Sequence, residues 1–336
     1  MDQGDIAHAH AFDSEVSADQ IEWFVDQYRR LTMHVESFIR GKSEVVRTAL
    51  LCLLSEGHLL IDDVPGTGKT MLAKTIVSAI DGTIRRIQFT PDLLPTDVIG
   101  AQVYDTSTGE FVFHPGAVFA NVVLGDEINR ASPKTQSALL EVMEERTVSV
   151  DGLAYAVPRP FIVIATQNPV EHSGVYELPE AQIDRFMMRQ TIGYPAKDDE
   201  RDILFNRSRG QKPEDLGPAM TTADLAEMID IAHSVFLSET VLDYVVELGS
   251  ATRSLPELRL GVSTRGCLAL AVAAQTRAAA AGRPYVIAED VQALAGPVLT
   301  HRMLLDPDAE FGGATAKGLL ASVLRRVPVP QDRVGV

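Results

Sequence analysis

Cysteine is scarce in this chain: Cys52 and Cys267 are the only two among 336 residues. Both stand in apolar sequence, which is typical of buried, reduced thiols and argues against a disulfide framework or a thiolate metal site. Long hydrophobic runs are missing too, because stretches such as residues 49–54 and 161–165 are far shorter than the roughly 20 residues of a membrane-spanning helix. The sequence therefore predicts neither a redox centre nor insertion into a membrane.

Basic residues are the second shortage, with 30 Lys and Arg against 46 Asp and Glu and a formal net charge of −16. This balance disfavours nucleic acid as a partner, although a local basic channel in an assembly could override the overall sign. The first 15 residues contain acidic side chains and no Lys or Arg, the reverse of the basic start of a secretory signal. We therefore expect a cytoplasmic protein.

The order of apolar patterns divides the chain into an α/β part and a helical part. Between residues 57 and 194, short β-rich runs alternate with helical patterns, which is typical of a mostly parallel sheet with helices on its faces. Beyond the turn-rich stretch 211–218, the chain is rich in Ala and Leu at helical spacing. We predict four segments: a flexible N-terminus over 1–20, an α/β core over 21–210, a smaller all-helical lid over 211–326 and a tail over 327–336.

A glycine-rich loop joins a predicted strand, residues 58–62, to a predicted helix, residues 71–80. Its glycines allow backbone N–H groups to approach a phosphate, its lysine supplies positive charge to the β- and γ-phosphates, and its threonine hydroxyl is a ligand for Mg²⁺. The alternative is a glycine-rich turn with a solvated lysine, which the surrounding strand and helix disfavour. The candidate nucleotide-binding residues here are Asp63, Pro65, Gly66, Thr67, Gly68, Lys69, Thr70 and Met71.

A second motif stands at the end of a short apolar strand, where residues 121–125 lead into Asp126 and Glu127. Ligands of open α/β sheets bind at the carboxyl ends of the strands, so we expect both carboxylates beside the glycine-rich loop. Asp126 would contribute to the nucleotide site and hold Mg²⁺ together with Thr70, directly or through water. Glu127 would act as the general base for the water that attacks the γ-phosphate.

A third apolar strand, residues 161–166, runs into Asn168. An asparagine followed by proline is ordinarily a turn residue. At this strand end, however, a neutral amide can orient the attacking water, and the two preceding motifs favour that role over a simple turn. Asn168 is therefore a candidate catalytic residue.

Two further patterns predict hairpins inserted into the α/β core. Residues 146–157 alternate around Asp151-Gly152, a strong signal for a tight turn between two strands. Residues 98–104 and 111–114 flank a polar turn and suggest a second pair of strands. We expect both hairpins to project from the sheet.

Taken together, these stretches resemble the MoxR family of AAA+ ATPases over about residues 30–325. Asp63 departs from the strict G-x-x-x-x-G-K-[ST] pattern, which has glycine there, although many AAA+ loops centre on Pro-Gly-x-Gly-Lys-Thr. The resemblance implies an AAA+ P-loop nucleotide domain with a parallel sheet and hairpin inserts, followed by a smaller all-helical lid. The stretches that carry the resemblance are residues 61–70, 113–116, 119–121, 126–136, 165–169, 178–186 and 263–265.

The resemblance also implies roles for two arginines. Arg185 would be the arginine finger, which reaches the nucleotide of a neighbouring subunit, and Arg265 would be the sensor-2 arginine of the lid. The family more often has Ser-Pro-Arg at sensor 2, where this chain has Ser-Thr-Arg. Arg189 is an alternative finger, and a surface arginine commonly forms only a weak ion pair. The other implied roles are Walker A for Lys69 and Thr70, Walker B for Asp126 and Glu127, and sensor 1 for Asn168.

The function implied by the resemblance is Mg²⁺-dependent ATP hydrolysis that drives chaperone-like remodelling or maturation of client proteins. It further implies a homo-oligomer, a hexameric ring, and a partner with a von Willebrand factor A-type domain. A chelatase-type motor, a DNA-dependent motor and a nucleotide-dependent binding switch with slow hydrolysis are the alternatives. ATP and Mg²⁺ are the expected cofactors, and we propose no other metal.

Overall fold

The computed structural model describes residues 16–64, 66–168 and 176–330. Residues 1–15 of the predicted flexible N-terminus, residues 331–336 of the predicted tail and Pro65 of the glycine-rich loop lie outside these ranges. Within the described ranges, every helix is too short or too polar to cross a bilayer.

The first helix, α1, spans Ala18–Phe38 and begins with a capping box. The Ser17 hydroxyl accepts a hydrogen bond from the Gln20 N–H, and the Gln20 side chain accepts one from the Ser17 N–H. These two bonds satisfy N–H groups that a helix start otherwise leaves without partners. Residues 18–20 of the predicted flexible N-terminus are therefore helical.

A five-stranded parallel sheet forms the centre of the core. The ten strands before the lid are β1 (Leu59–Asp62), β2 (Ile80–Asp81), β3 (Ile84–Gln88), β4 (Gly100–Asp105), β5 (Glu110–Pro115), β6 (Val122–Asp126), β7 (Thr147–Val150), β8 (Leu153–Ala156), β9 (Ile162–Gln167) and β10 (Met188–Gln190). The sheet has the order β10-β1-β9-β6-β3, and all of its neighbouring pairs are parallel. The predicted parallel sheet is confirmed.

Helices cover both faces of this sheet, as a parallel sheet requires. Those of the core are α2 (Ser43–Leu54), α3 (Lys69–Ser78), α4 (Pro95–Ile99), α5 (Pro133–Glu145), α6 (Glu180–Ile183) and α7 (Lys197–Ser208). Successive strand residues point to opposite faces. Ile61 and Leu124 accordingly pack in a core with α1, α2, α3 and the lid, whereas Leu60 and Val123 pack in a second core with α5.

The lid that follows is mainly helical, as predicted. Its helices are α8 (Thr222–His233), α9 (Glu239–Arg253), α10 (Thr264–Ala280), α11 (Ala288–Leu299), α12 (Pro307–Phe311) and α13 (Ala316–Arg326). Three short strands correct the prediction of an all-helical lid. β11 (Met220–Thr221) pairs with β2 of the core, and β12 (Leu258–Leu260) pairs with β13 (Leu304–Leu305). Strands of two or three residues are too short to show an alternating pattern in the sequence.

The two predicted hairpins are present and touch each other. β4 and β5 form one antiparallel pair, and β7 and β8 form the other around Asp151-Gly152. The rings of Phe113 and Tyr155 stack with their centroids 3.9 Å apart, and the Gln102 amide donates a 3.0 Å hydrogen bond to the Tyr155 hydroxyl. These contacts join one hairpin to the other.

Candidate active site

The glycine-rich loop connects the carboxyl end of β1 to the first turn of α3. Gly66 and Gly68 have φ values of 87° and 92°, a region that residues with a side chain rarely adopt. Gly68 directly precedes α3, whose first N–H groups have no partner within the helix. Among the described residues, apart from each glycine's own chain neighbours, no atom lies within 4 Å of a Cβ atom built on Gly66 or Gly68. Exposed N–H groups at a helix start form a ready anion site.

Lys69 and Met71 belong to the first turn of α3, where the backbone N–H groups point out of the helix start. The Lys69 ammonium donates hydrogen bonds to the backbone carbonyls of Asp63 and Gln167. Asp63 directly follows β1, and Gln167 is the last residue of β9. Partial burial lowers the pKa of Lys69, and the surrounding carboxylates oppose that effect. The ammonium therefore lies at the carboxyl ends of two adjacent strands, and the two carbonyls that it binds are neutral groups that a phosphate can replace.

Asp63, at the position where the strict pattern has glycine, anchors the loop. Its carboxylate accepts backbone hydrogen bonds from Ile192 at 2.9 Å and Gly193 at 2.6 Å, and another from Val64 at 2.8 Å. Burial would raise the pKa of Asp63, but these hydrogen bonds outweigh it and the pKa lies below its usual value. The aspartate thus ties the loop to the segment after β10. Thr67 is buried and donates to the Val64 carbonyl.

Asp126 and Thr70 form an oxygen pair suited to Mg²⁺. The Thr70 hydroxyl lies 3.2 Å from Oδ1 of Asp126, which is buried at the end of β6. Adjacent ligands of an octahedral Mg²⁺, each about 2.1 Å from the metal, lie about 3 Å apart. One ion can therefore bind both oxygens with little adjustment. The residues present fit the cation.

Arg86 is a residue of this site that sequence reasoning missed. Its Nε donates a 2.7 Å hydrogen bond to Oδ2 of Asp126 from the neighbouring strand β3. A half-exposed guanidinium thus balances the buried carboxylate. The available signal was a pair of arginines, Arg85 and Arg86, just before the end of a strand beside the acidic motif.

Glu127 leaves the strand with φ of 59°, the left-handed region that is uncommon for a residue with a side chain. Its backbone N–H donates to the Thr166 hydroxyl at 3.0 Å, which fixes this turn to β9. Its Oε2 accepts hydrogen bonds from Gln88 at 3.2 Å and Arg130 at 3.1 Å. Strained backbone of this kind commonly marks functional sites. Sequence reasoning also missed Gln88, which lies on β3 with Arg86.

Asn168 follows β9, which lies between β1 and β6 in the sheet. It is buried, and its backbone carbonyl accepts a 3.2 Å hydrogen bond from the Asn129 side chain. The structure therefore places Asn168 between the strand that leads into the glycine-rich loop and the strand that carries the two carboxylates. The three predicted motifs meet at one edge of the sheet.

Arg185 and Arg265 lie elsewhere, and both bind the same carboxylate. Nη2 of Arg185 is 3.0 Å from Oε2 of Glu144, and Nη2 of Arg265 contacts Oε1 of the same residue. These side chains line one cleft with His58, which immediately precedes β1. The glycine-rich loop follows the other end of that strand. Four residues of strand span about 13 Å, so this cleft lies at the opposite edge of the sheet from the loop.

The alternative finger, Arg189, lies within β10 and forms an ion pair with the buried Asp62 of β1. A buried carboxylate that lost this partner would be left as an uncompensated charge. Arg189 therefore has a structural role inside its own chain, whereas Arg185 and Arg265 share a single, half-exposed glutamate. This difference favours Arg185 over Arg189 as the residue available to a neighbouring molecule.

Comparison with known proteins agrees with this arrangement. The ATPase family associated with various cellular activities (AAA) matches residues 58–188, and the AAA lid domain matches residues 250–321. The uncharacterised protein YeaC of Bacillus subtilis is 44% identical, over 90% of this chain and 95% of its own. Chaperone MoxR1 of Mycobacterium tuberculosis is 42% identical, over 91% of this chain and 83% of its own.

Solved structures include one of the same architecture. The crystal structure of a candidate ATPase from Cytophaga hutchinsonii superposes with a TM-score of 0.86 at 34% sequence identity, and the match covers 93% of this chain and 98% of that one. Its similarity extends through both the sheet and the lid, since so little of either chain is left out. With the sequence relatives, the motifs and the lid in agreement, the chain belongs to the MoxR family of AAA+ ATPases.

Proposed function

We propose that this protein hydrolyses ATP with Mg²⁺ and uses the reaction to remodel client proteins. The observation that carries the proposal is the meeting of three chemical groups at one edge of the sheet. These groups are the Lys69 ammonium, the Thr70–Asp126 oxygen pair 3.2 Å apart and the Glu127 carboxylate. Lys69 and Thr70 lie at the start of α3, and Asp126 and Glu127 lie at the end of β6, so the fold of one chain brings these groups together.

Each group has a distinct part in the proposed reaction. The N–H groups of the loop and Lys69 bind the phosphates, while Thr70 and Asp126 hold Mg²⁺, which neutralises charge on the phosphate oxygens. Glu127 accepts the proton of the attacking water, and the Asn168 amide orients that water. Asp126 is already paired with Arg86, and Glu127 with Gln88 and Arg130. Binding of the cation and of the water must therefore exchange some of these contacts.

The reaction needs a second copy of the chain under this proposal. AAA+ proteins are generally oligomeric, and the cleft that holds Arg185 and Arg265 is too far from the loop to serve the same nucleotide. We assign both arginines to the nucleotide of a neighbouring subunit in a hexameric ring. An arginine supplied across an interface stabilises transition-state charge in other phosphoryl-transfer proteins.

Client remodelling is supported by the surface of the hairpins and by a relative. Tyr104 and Phe111 of the β4–β5 hairpin are more than half exposed, with their rings 5.3 Å apart. Exposed aromatic side chains are typical of surfaces that bind other proteins. The relative MoxR1 is named a chaperone. A partner with a von Willebrand factor A-type domain is supported by family resemblance alone.

The test of the proposal replaces the general base. Glu127→Gln keeps the size of the side chain but removes its proton acceptor, so ATP should still bind while turnover falls on the order of a hundredfold or more. Glu247→Gln, an exposed glutamate of α9, is the control and should retain wild-type turnover. Phosphate release and ATP affinity by calorimetry are the measurements. Chelation of Mg²⁺ should stop turnover in the wild type, and added Mg²⁺ should restore it.

The same measurements separate a motor from the alternatives. Turnover of Glu127→Gln close to wild type would remove Glu127 as the base. Tight ATP binding with no measurable wild-type turnover, at any protein concentration, would instead assign a nucleotide-dependent binding switch. Stimulation of turnover by DNA would point to a DNA-dependent motor.

A further inference from the structure

Arg302 is a lid residue whose side chain is buried against the core. It ends a 3₁₀ turn, Thr300–Arg302, directly after α11, and its side chain is only 2% exposed. Its Nε donates a 2.6 Å hydrogen bond to Oδ1 of Asp184, and its Nη2 donates to the Asp184 carbonyl at 2.9 Å. Nη2 also donates to the carbonyl of Phe186 at 2.8 Å, and Nη1 to that of Met187 at 3.1 Å.

These partners flank Arg185 on both sides. A guanidinium has five N–H donors in a rigid, planar arrangement, so it fixes the direction as well as the distance of its acceptors. The backbone at residues 184, 186 and 187 is thereby held by one side chain of the lid. We propose that Arg302 is a positioning residue, which sets the place of Arg185 according to the position of the lid. This inference rests on the proposed role of Arg185.

The start of helix α10, a second element of the lid, also contacts the segment around Arg185. The Ser263 hydroxyl, which caps the start of α10, donates a 3.0 Å hydrogen bond to Oδ2 of Asp184. A Cβ atom on Gly266 would lie 2.8 Å from Cδ of Arg302, so the first turn of α10 packs directly on this arginine. Arg265 lies in that turn and shares Glu144 with Arg185. The lid therefore controls both arginines of the cleft through one compact cluster.

The contact between the lid and the core at Arg302 is a buried ion pair with Asp184 rather than an apolar contact. Burying an ion pair costs desolvation free energy that an apolar contact of similar size would avoid. An apolar contact could attach the lid to the core, but it would not hold three carbonyls in fixed directions. Hydrogen bonds of this kind suit the task of placing a catalytic group, because a misplacement of about 1 Å can cost on the order of a hundredfold in rate.

The test uses mixed assemblies of full-length variants, in which the defect of each chain is confined to one side of an interface. Arg185→Ala chains lack the finger but keep the base, and Glu127→Gln chains lack the base but keep the finger. Mixing these two should restore turnover and serves as the reference. Arg302→Lys keeps a positive charge but loses the planar donor set, so turnover alone should fall roughly 10- to 100-fold while ATP affinity stays within about twofold.

The direction of rescue then identifies the defect. Arg302→Lys mixed with Glu127→Gln should recover turnover, because the intact base of the first can meet the intact finger of the second. Arg302→Lys mixed with Arg185→Ala should not, because both lack a working finger. The control is Arg283→Lys. Arg283 is another arginine of the lid, and its described side-chain hydrogen bonds go to the buried Asp290 and to Tyr285 rather than to residues 184–187. This control should rescue Arg185→Ala.

Several outcomes would overturn the inference. If Arg302→Lys rescues Arg185→Ala as well as the control does, Arg302 does not position the finger. If Arg302→Lys is rescued by neither partner, its role is general folding. If Arg302→Lys does not fold, Asp184→Asn replaces it, since it removes the charge of the pair from a more exposed residue, and full rescue of Arg185→Ala by that variant would equally refute the inference. Failure of the reference mixture itself would instead refute the proposed finger.

Discussion

The central sheet has a carboxyl edge, where its parallel strands end, and an amino edge, where they begin. The charged groups at these two edges are arranged differently. At the carboxyl edge, Lys69, Asp126 and Glu127 come from one chain, and each charge has local partners. At the amino edge, Arg185 and Arg265 share the carboxylate of Glu144, so these three described residues together carry a surplus of positive charge. Phosphate-binding, metal-binding and base groups within one chain suit that chain's own nucleotide, whereas a partly exposed excess of arginine suits an anion brought by another molecule.

Removal of the arginine finger is expected to have the largest effect on turnover. Arg185→Ala should lower turnover by about a thousandfold, the lower range for arginine fingers elsewhere, without loss of ATP binding. Mixing it with Glu127→Gln should restore activity at the interfaces that combine an intact base with an intact finger. Phosphate release from assemblies of verified mixed composition is the measurement.

A control for that experiment comes from the same side of the molecule. Arg259→Ala removes an arginine of the lid that forms an ion pair with Glu180, an exposed residue of the core. Because exposed pairs contribute little, its turnover should stay within about twofold of wild type. Verified mixtures without recovered turnover, or full activity of Arg185→Ala as an isolated monomer, would contradict the assignment of Arg185 to a neighbouring site.

The carboxyl edge should fail in a different way. Lys69→Ala deletes the ammonium that the loop places at the phosphates, so ATP affinity itself should fall about 10- to 100-fold, since a charge-assisted hydrogen bond contributes about 1.5–3 kcal/mol. Lys74→Ala, on the same helix, is the control and should bind ATP normally. Calorimetry in Mg²⁺ gives both affinities, and an unchanged value for Lys69→Ala would exclude the phosphate-binding role.

These two edges also differ in how far the sequence could predict them. The groups of the carboxyl edge stand in short contiguous motifs, and parallel strands necessarily bring their carboxyl ends together. The sequence alone therefore suffices to predict that Lys69, Asp126 and Glu127 share one site. It does not suffice for Arg86 and Gln88, because their strand has only one buried residue and no apolar alternation. The sheet, the hairpins and the lid followed from patterns of apolar residues.

The amino edge depends on contacts between residues far apart in the chain. Arg302 and Asp184 are separated by 118 positions, and nothing in the local sequence links them. Glu144 looks like any acidic residue near the end of a helix, and its two arginine partners come from different domains. Resemblance to a family supplied Arg185 and Arg265, whereas their common partner and their distance from the loop emerged only from the three-dimensional fold.

Replacement of Arg265 should lower turnover less, and it tests whether this arginine acts on its own chain's nucleotide or on a neighbour's. If it serves a neighbour's nucleotide, Arg265→Ala should lose roughly tenfold in turnover, the lower range for one charge-assisted hydrogen bond at a half-exposed site. Glu127→Gln should rescue it and Arg185→Ala should not. The opposite pattern, rescue by Arg185→Ala alone, would assign Arg265 to the nucleotide of its own chain and would remove it from the amino-edge group.

The smallest expected effect is that of replacing Glu144. This variant tests whether Arg185 and Arg265 need their ion pairs with Glu144 for turnover. In the single chain, the carboxylate occupies both guanidinium groups. If a phosphate of the neighbouring subunit takes its place in the ring, Glu144 has no part in the reaction, so Glu144→Gln should change turnover by no more than about threefold. Glu141→Gln, on the same helix and exposed, controls for the loss of a surface charge. If Glu144→Gln instead proves as inactive as Arg185→Ala while still folded, the arginines are needed for the structure of their own chain, and the amino edge is not a site that a neighbour completes.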